Sequence, residues 1–316
     1  MNQFHKESSQ QALGTDEVLS GLLTSEKSLP AKLFYDKRGS ELFDEICRLD
    51  EYYQTRTELW ILKHYLPEII SAVGSGVQLV EYGSGSSLKT RILLQALGDL
   101  VSYLPIDISG EYLNEVVQRL REQFPFLNIL PVSADYTKPF LLPNLVPGSG
   151  IRRVFFFPGS TLGNLDEPEA IGLLKRTRRL AGPDGGLLIG IDLKKDRTIL
   201  EAAYNDSRGV TAAFNKNILH RLNTEMGANF SLSEFRHHAY YNEPCGRIEM
   251  HLVSLRPQTV TIAGSDVFFR EGEMIHTENS YKYTPEEFEE LAARADFLSK
   301  KSWVDPEQRF AVYYLS

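Results

Sequence analysis

Residues 77–91, Val-Gln-Leu-Val-Glu-Tyr-Gly-Ser-Gly-Ser-Ser-Leu-Lys-Thr-Arg, carry the pattern from which the fold of this 316-residue chain is read. A short apolar run, Val77 to Val80, closes on the acidic Glu81. Gly83 and Gly85 make a loop, and a helical pattern opens at Ser86 or Ser87. Strand, glycine turn and helix N-terminus together build a nucleotide-cofactor pocket. The glycines let the backbone approach a ligand, and the first helical N–H groups are free to meet a carboxylate or phosphate. Leu88 stands at the third glycine position of the dinucleotide fingerprint G-x-G-x-x-G, so NAD fits less well but stays open.

The same rhythm repeats downstream. Further strands are predicted at Val101 to Ile108, Asn128 to Ser133, Arg153 to Phe157 and Gly186 to Asp192, with helices at 87–98, 110–124 and 167–181 between them. This alternation predicts an α/β fold on a doubly wound, mostly parallel sheet, closed by the apolar run 309–315. Upstream, Thr15 to about Val73 is helical in period. Residues 195–282 break the pattern with one helical stretch and strand-like runs at Glu234 to Asn242, Arg247 to Leu255 and Thr259 to Phe269. An insertion of this size suits substrate selection, because ligand sites gather at domain junctions. The expected division is a sheet domain of residues 61–194 plus 283–316 and a second, α+β domain of residues 1–60 plus 195–282.

Composition narrows the partners. The chain is 42% hydrophobic and 24% charged with a net charge of -8, ordinary for a globular protein and a poor match to the phosphates of nucleic acid. The first residues have no apolar signal core, and no run reaches membrane-spanning length, so no membrane partner is expected. Two cysteines far apart, Cys47 and Cys245, point to a reduced, cytoplasmic protein. The seven histidines lack H-E-x-x-H spacing, and no metal site is expected.

Two further acidic residues sharpen the cofactor. Asp107 ends a strand in Leu104-Pro105-Ile106-Asp107, where a carboxylate suits the ribose hydroxyls; Asp135 ends the next, beside Tyr136, where it suits an adenine amino group. Glu81, Asp107 and Asp135 at successive strand ends resemble the class I, Rossmann-like S-adenosylmethionine-dependent methyltransferases, whose sheet ends in a reversed strand. The resemblance covers about 77–192 and the C-terminal strand. It implies S-adenosylmethionine as methyl donor, held by Gly83, Gly85, Lys89, Asp107, Asp135 and Tyr136. Lys89 then lies near the cofactor's methionine carboxylate; as bare sequence it equally suits a solvated helix face.

Segments outside the loop point further. Glu51-Tyr52-Tyr53-Gln54-Thr55-Arg56-Thr57-Glu58, Phe157 to Asn164, Glu201 to Asp206, Arg247 to Leu252 and His276 to Tyr283 together resemble the histidine-specific Nα-methyltransferases of ergothioneine biosynthesis. The likeness runs from about Leu29 to the end. It implies L-histidine as the small-molecule partner, three methylations to hercynine, and a monomer. It implies that Tyr53, Asn164 and Tyr204 hold the α-amino and carboxylate groups, with Tyr53 and Asn164 nearest the chemistry. Glu278, Asn279 and Ser280 are implied at the imidazole, and Met250 beside the ring. Tyr52 and Tyr53 are adjacent aromatic residues, so the register of that pair is open. Another acceptor on the same scaffold, such as tryptophan, stays open too, although an indole gains little from Glu278 where an imidazole N–H gains much.

Overall fold

The computed structural model describes residues 14–85, 87–143 and 151–316. Helices α1 (Thr15–Leu22), α2 (Lys37–Ile46), α3 (Tyr53–His64) and α4 (Leu66–Val73) come first, with a two-residue strand β1 (Lys27–Ser28) between α1 and α2. Asp36 caps α2 by accepting the N–H of Gly39. Then β2 (Gln78–Tyr82), α5 (Thr90–Ala96), β3 (Ser102–Asp107), α6 (Gly110–Gln123), β4 (Val132–Ser133), β5 (Arg153–Phe157), α7 (Glu167–Ala181) and β6 (Gly186–Asp192) alternate. Helices α8 (Arg197–Tyr204) and α9 (Val210–Met226) follow. After them come β7 (Phe235–Asn242), β8 (Arg247–Ser254), β9 (Gln258–Ile262), β10 (Ser265–Phe269) and β11 (Met274–Tyr281). The chain closes with α10 (Pro285–Ala293), β12 (Ser299–Val304) and β13 (Phe310–Leu315).

Seven strands form the larger sheet in the order β12-β13-β6-β5-β2-β3-β4. Strands β2 to β6 run parallel, while β13 is antiparallel to β6 and β12 is antiparallel to β13. The central strands are buried on both faces, which is why they read as unbroken apolar runs. Alternation divides them between two cores: Leu79, Phe156 and Leu188 pack under α3 to α6, while Val80, Phe155 and Ile189 pack against α7 and α10. The strand order reverses between β2 and β5, and a crevice at such a switch point is where open α/β sheets bind ligands.

The second sheet, β1-β11-β8-β7, lays one face on α8 and α9, and α2 packs against α9. Its core gathers Phe34, Phe214, Ile218, Ile248, Leu252 and Ile275, from both the N-terminal helices and the insertion. Helix α3 joins the two units: Tyr53 belongs to this core, whereas Ile61 and Leu62 belong to that of the large sheet.

Several elements depart from the sequence reading. The strand expected at 128–133 narrows to Val132–Ser133 plus a single bridge between Tyr103 and Ile129. Helix α5 opens at Thr90, not at Ser86 or Ser87, because Ser87 takes a left-handed φ of 56° that an α-helix cannot contain; Ser86 lies outside the described residues. The run 259–269 is a hairpin, turned by Ala263 and Gly264 at φ 48° and 79°, as a tight two-residue turn requires. Strand β12 carries Ser299, Lys300, Lys301 and Ser302 at an exposed edge, and therefore shows no apolar alternation to read.

Helix α3 meets β6 at one close approach. A Cβ built on Gly190 would fall inside contact distance of Glu58 Oε1 and 2.9 Å from Phe310 Cε1. Gly190→Ala is expected to destabilise the fold by about 1–3 kcal/mol, the usual cost of overpacking a core. Urea unfolding measures this, and an unchanged midpoint would refute the packing described.

Candidate active site

The cofactor cradle forms at the switch point. Gly83 and Gly85 follow β2 with φ of 65° and 44°, and no atom of the described residues lies within 4 Å of a Cβ built on Gly85. The loop is tied to the neighbouring strand: Gly83 and Ser84 donate their N–H groups to Ile106 O, and Gly85 N–H donates to Asp107 Oδ2 at 3.1 Å. The other oxygen of Asp107 accepts Ser109 N–H at 3.0 Å. Burial pushes the Asp107 carboxyl above its usual range, with those two N–H groups opposing. Tyr136 stands 3.9 Å from a Cβ built on Gly83 and packs on Tyr82 and Phe157. Asp135 beside it accepts from Thr137 N–H at 2.9 Å.

Ser84 Oγ is buried without a hydrogen-bond partner among the described residues. An orphaned hydroxyl, an open glycine cradle and a carboxylate at the end of β3 fit a nucleoside cofactor with a polar tail. Two residues of the stretch act otherwise than its sequence implied. Glu81 turns into the core, where Thr90 and Tyr103 donate to its carboxylate and burial raises its pKa to about 8. Lys89 is neither solvated nor free, since it pairs with the fully buried Glu58 at 2.5 Å.

Beside the cradle lies a cavity whose walls come from both units. Tyr35, Phe43, Tyr52 and Gln54 line it from the N-terminal segment. Gly159 to Thr161 and Asn164 line it from the loop after β5, and Asp192 from the end of β6. Tyr204 closes α8, while Glu278, Ser280 and Lys282 stand at alternate positions on and just past β11. The loop after β5 is strained, with φ of 80° at Gly159 and 59° at Ser160. Gly163 is needed there because a Cβ would approach Tyr281 O to 2.6 Å.

Charge in this cavity is arranged around one buried carboxylate. Asp192 pairs with Lys195 at 2.6 Å and Lys282 at 2.8 Å, and accepts Tyr53 Oη–H at 2.7 Å. Burial alone would raise the Asp192 pKa, but the two ammonium groups outweigh it and hold the carboxyl low. Lys282, itself buried, also donates to Ser280 Oγ at 2.8 Å and Tyr204 Oη at 3.1 Å. Desolvation opposes its charge, yet Asp192 and Tyr204 raise its pKa well above the lysine norm. Lys195 moves the other way: burial brings it down to about 8 against the pull of Asp192.

Glu278 has no such support. Its side chain takes no hydrogen bond from any described residue, and burial lifts its pKa to about 7, with Lys282 opposing. Asn164, Tyr204, Glu278 and Ser280 thus share one cavity. Met250 sits directly opposite Glu278 in register but is buried beneath the lining, in the core. Asn279 points the other way. A bulge lies between His276 and Glu278, and Asn279 Oδ1 meets His276 Nε2 at 2.8 Å on the outer sheet face.

Tyr53 is also displaced from its expected part. Its hydroxyl is occupied by Asp192 and by Lys195 Nζ at 2.7 Å, while the neighbouring Tyr52 presents its ring to the cavity, 6.3 Å from that of Tyr204. Residues the sequence reading missed are Tyr35, Tyr52, Gln54, Ser160, Asp192 and Lys282. Tyr35 lies near both sites: after burial, the carboxylate of Glu278 and then Tyr136 and Asp107 push its pKa up.

A sheet of this order with the single strand β13 reversed, a glycine loop at the switch point and an aspartate ending the next strand define a class I S-adenosylmethionine-dependent methyltransferase. Over residues 14–316 the chain matches the family described as histidine-specific, S-adenosylmethionine-dependent methyltransferases, and it belongs to that family. It is 40% identical to the histidine N-alpha-methyltransferase of Mycolicibacterium smegmatis, over 98% of this chain and 97% of that one. Identity to the enzyme of that name from Mycobacterium tuberculosis is 39%, over 94% and 92%. Ergothioneine biosynthesis protein 1 of Neurospora crassa is 30% identical over 88% of this chain, which spans 32% of that longer protein.

The two tyrosines separate in an experiment. Tyr53→Phe removes a hydrogen bond to a buried charge and should cost about 1.5–3 kcal/mol of stability. Tyr52→Ala should instead raise the KM for the acceptor with less effect on that for the methyl donor. Equal KM effects from both substitutions would contradict the placement.

Proposed function

We propose that this chain transfers methyl groups from S-adenosylmethionine to the α-amino nitrogen of L-histidine, three times in succession, giving hercynine in ergothioneine biosynthesis. The observation that carries this is Glu278: a buried carboxylate, without a side-chain hydrogen-bond donor among the described residues, facing a cavity beside the cofactor cradle. Such a group calls for a partner that brings an N–H, and a cationic one above all. Imidazole supplies both, and its proton affinity lies close to that of Glu278, so the pair can share a proton.

When bound, the cofactor supplies an electrophilic methyl group on a sulfonium. Gly83, Gly85 and Asp107 would hold it, with Tyr136 and Asp135 at the end that carries the base. Asn164 and Tyr204, with Tyr52 beside them, would hold the acceptor's α-groups by neutral donors and acceptors that leave its nitrogen free to react. Lys195 and Lys282 around the single Asp192 leave surplus positive charge in this wall. That surplus attracts a substrate carboxylate and disfavours an ammonium, promoting the neutral amine that attack requires. The main contribution of the chain is alignment, since amine and methyl carbon must meet at near-attack distance. One copy of the chain supplies every residue in this scheme, in keeping with a monomer, and free Cys47 and Cys245 agree with a cytoplasmic setting.

Incubation with S-adenosylmethionine and L-histidine should yield a product heavier by three methyl groups. Faster turnover of tryptophan would overturn the histidine assignment. The pH profile tests Glu278 separately. With its pKa near 7, kcat/KM for histidine should fall as the carboxylate protonates below that pH, and Glu278→Gln should remove this limb. Retention of the limb in the variant would assign it to another group.

A further inference from the structure

The outer face of the β1-β11-β8-β7 sheet carries a cluster that the methyl-transfer chemistry does not use. His276, His251 and His238 stand opposite one another in register on β11, β8 and β7. Glu249 shares this face two residues along β8 from His251. Donor atoms from Glu249, His251 and His276 all lie within 4.8 Å of one another. The side chains of His251 and Glu249 retain only 8% and 7% exposure.

Each member is arranged as a ligand would be. His251 makes no side-chain hydrogen bond among the described residues: Nδ1 is buried without a partner, and Nε2 is 3.7 Å from Glu249 Oε2, too far for one. Burial keeps the His251 ring neutral, with its pKa pushed down to about 4. His276 is oriented through Nε2 by Asn279 Oδ1, leaving Nδ1 as the lone-pair nitrogen, an arrangement typical of metal-binding histidines. Glu249 is held in place by Arg247 and Asn242 on Oε1 and by Tyr240 on Oε2. That leaves lone-pair capacity on Oε2 toward His251.

We propose that Glu249, His251 and His276 bind a borderline divalent transition-metal ion of the Zn²⁺ class on the outer face of this sheet. Two imidazoles and one carboxylate are the donors such ions select, whereas Mg²⁺ and Ca²⁺ favour all-oxygen sets. Donors around a tetrahedral ion with bonds of about 2.0–2.1 Å sit roughly 3.4 Å apart, so the 3.7 Å pair needs little contraction. The pattern escapes a search for helical ligand spacing because its members come from two strands. An ion here would staple β8 to β11 two residues from Glu278, on the opposite side of the sheet.

The test is calorimetric titration of the chelator-treated full chain with Zn²⁺, together with Co²⁺ absorption spectra. One tight equivalent of Zn²⁺ and tetrahedral Co²⁺ bands are expected. His251→Gln with His276→Gln should abolish the bands and weaken Zn²⁺ by about ten-fold or more. If that double variant loses the wild-type circular dichroism spectrum, Glu249→Gln decides, with the same weakening expected. Unchanged affinity in the folded variants would overturn the proposal, as would Co²⁺ bands from a cysteine thiolate or no tight binding by the wild type.

Discussion

The buried carboxylate of Asp192 is the interaction on which the arrangement of this molecule turns. Partners of the carboxylate reach it from three separate stretches of chain: Tyr53 and Gln54 open α3, Lys195 follows β6 and Lys282 follows β11. Removing a carboxylate from water costs several kcal/mol, and removal of a single partner would leave that cost uncompensated. A hinge opening between the two units would pull Lys282 away from Asp192. The seam is therefore fixed at the place where the cavity forms.

The same network gives the cavity its polarity. Lys282 beside Asp192 places an ammonium in one wall, while Glu278, on alternate positions of the same strand edge as Ser280 and Lys282, places a carboxylate in another part. An amino acid with a carboxylate at one end and a basic ring at the other is complementary to this division. Lys282 also fixes the hydroxyls of Tyr204 and Ser280, so one buried ammonium sets the direction of two neutral side chains. Next to an ammonium a hydroxyl must accept; Tyr204 Oη then passes its own proton to Ser280 Oγ at 2.8 Å, and only the Ser280 hydroxyl keeps a proton for the cavity.

What the sequence disclosed follows from burial and period. Parallel strands covered on both faces read as apolar runs, and β5, β6 and the central part of β2 were legible for that reason. Asn164, Tyr204, Glu278 and Ser280 were legible as a set through family resemblance. Tyr52 and Tyr53 are not separable in sequence, because the helix starts between them: Tyr52 precedes α3 with a non-helical ψ of 74° and faces the cavity, while Tyr53 opens the helix and joins the aspartate network. Asn279 required knowledge of a bulge, which no periodicity announces. Asp192 and Lys282 are charged residues that default to the surface in a sequence reading; only tertiary pairing brings them inside.

The loop from Gly159 to Asn164 links these levels. Gly159 adopts its positive φ freely, but the left-handed φ of 59° at Ser160 needs support from its surroundings. Glu58 accepts the N–H of Gly159 on one side, and Ser160 Oγ accepts the N–H of Asp192 on the other. Glu58 in turn pairs with Lys89 at the entrance to α5, in the cofactor cradle. The loop that carries Asn164 is thus anchored to both the cradle and the acceptor wall. Displacement by a single ångström is enough to cost a large factor in rate when two reactants must meet in line. Glu58 and the backbone N–H of Asp192 therefore hold the position of the loop that carries Asn164.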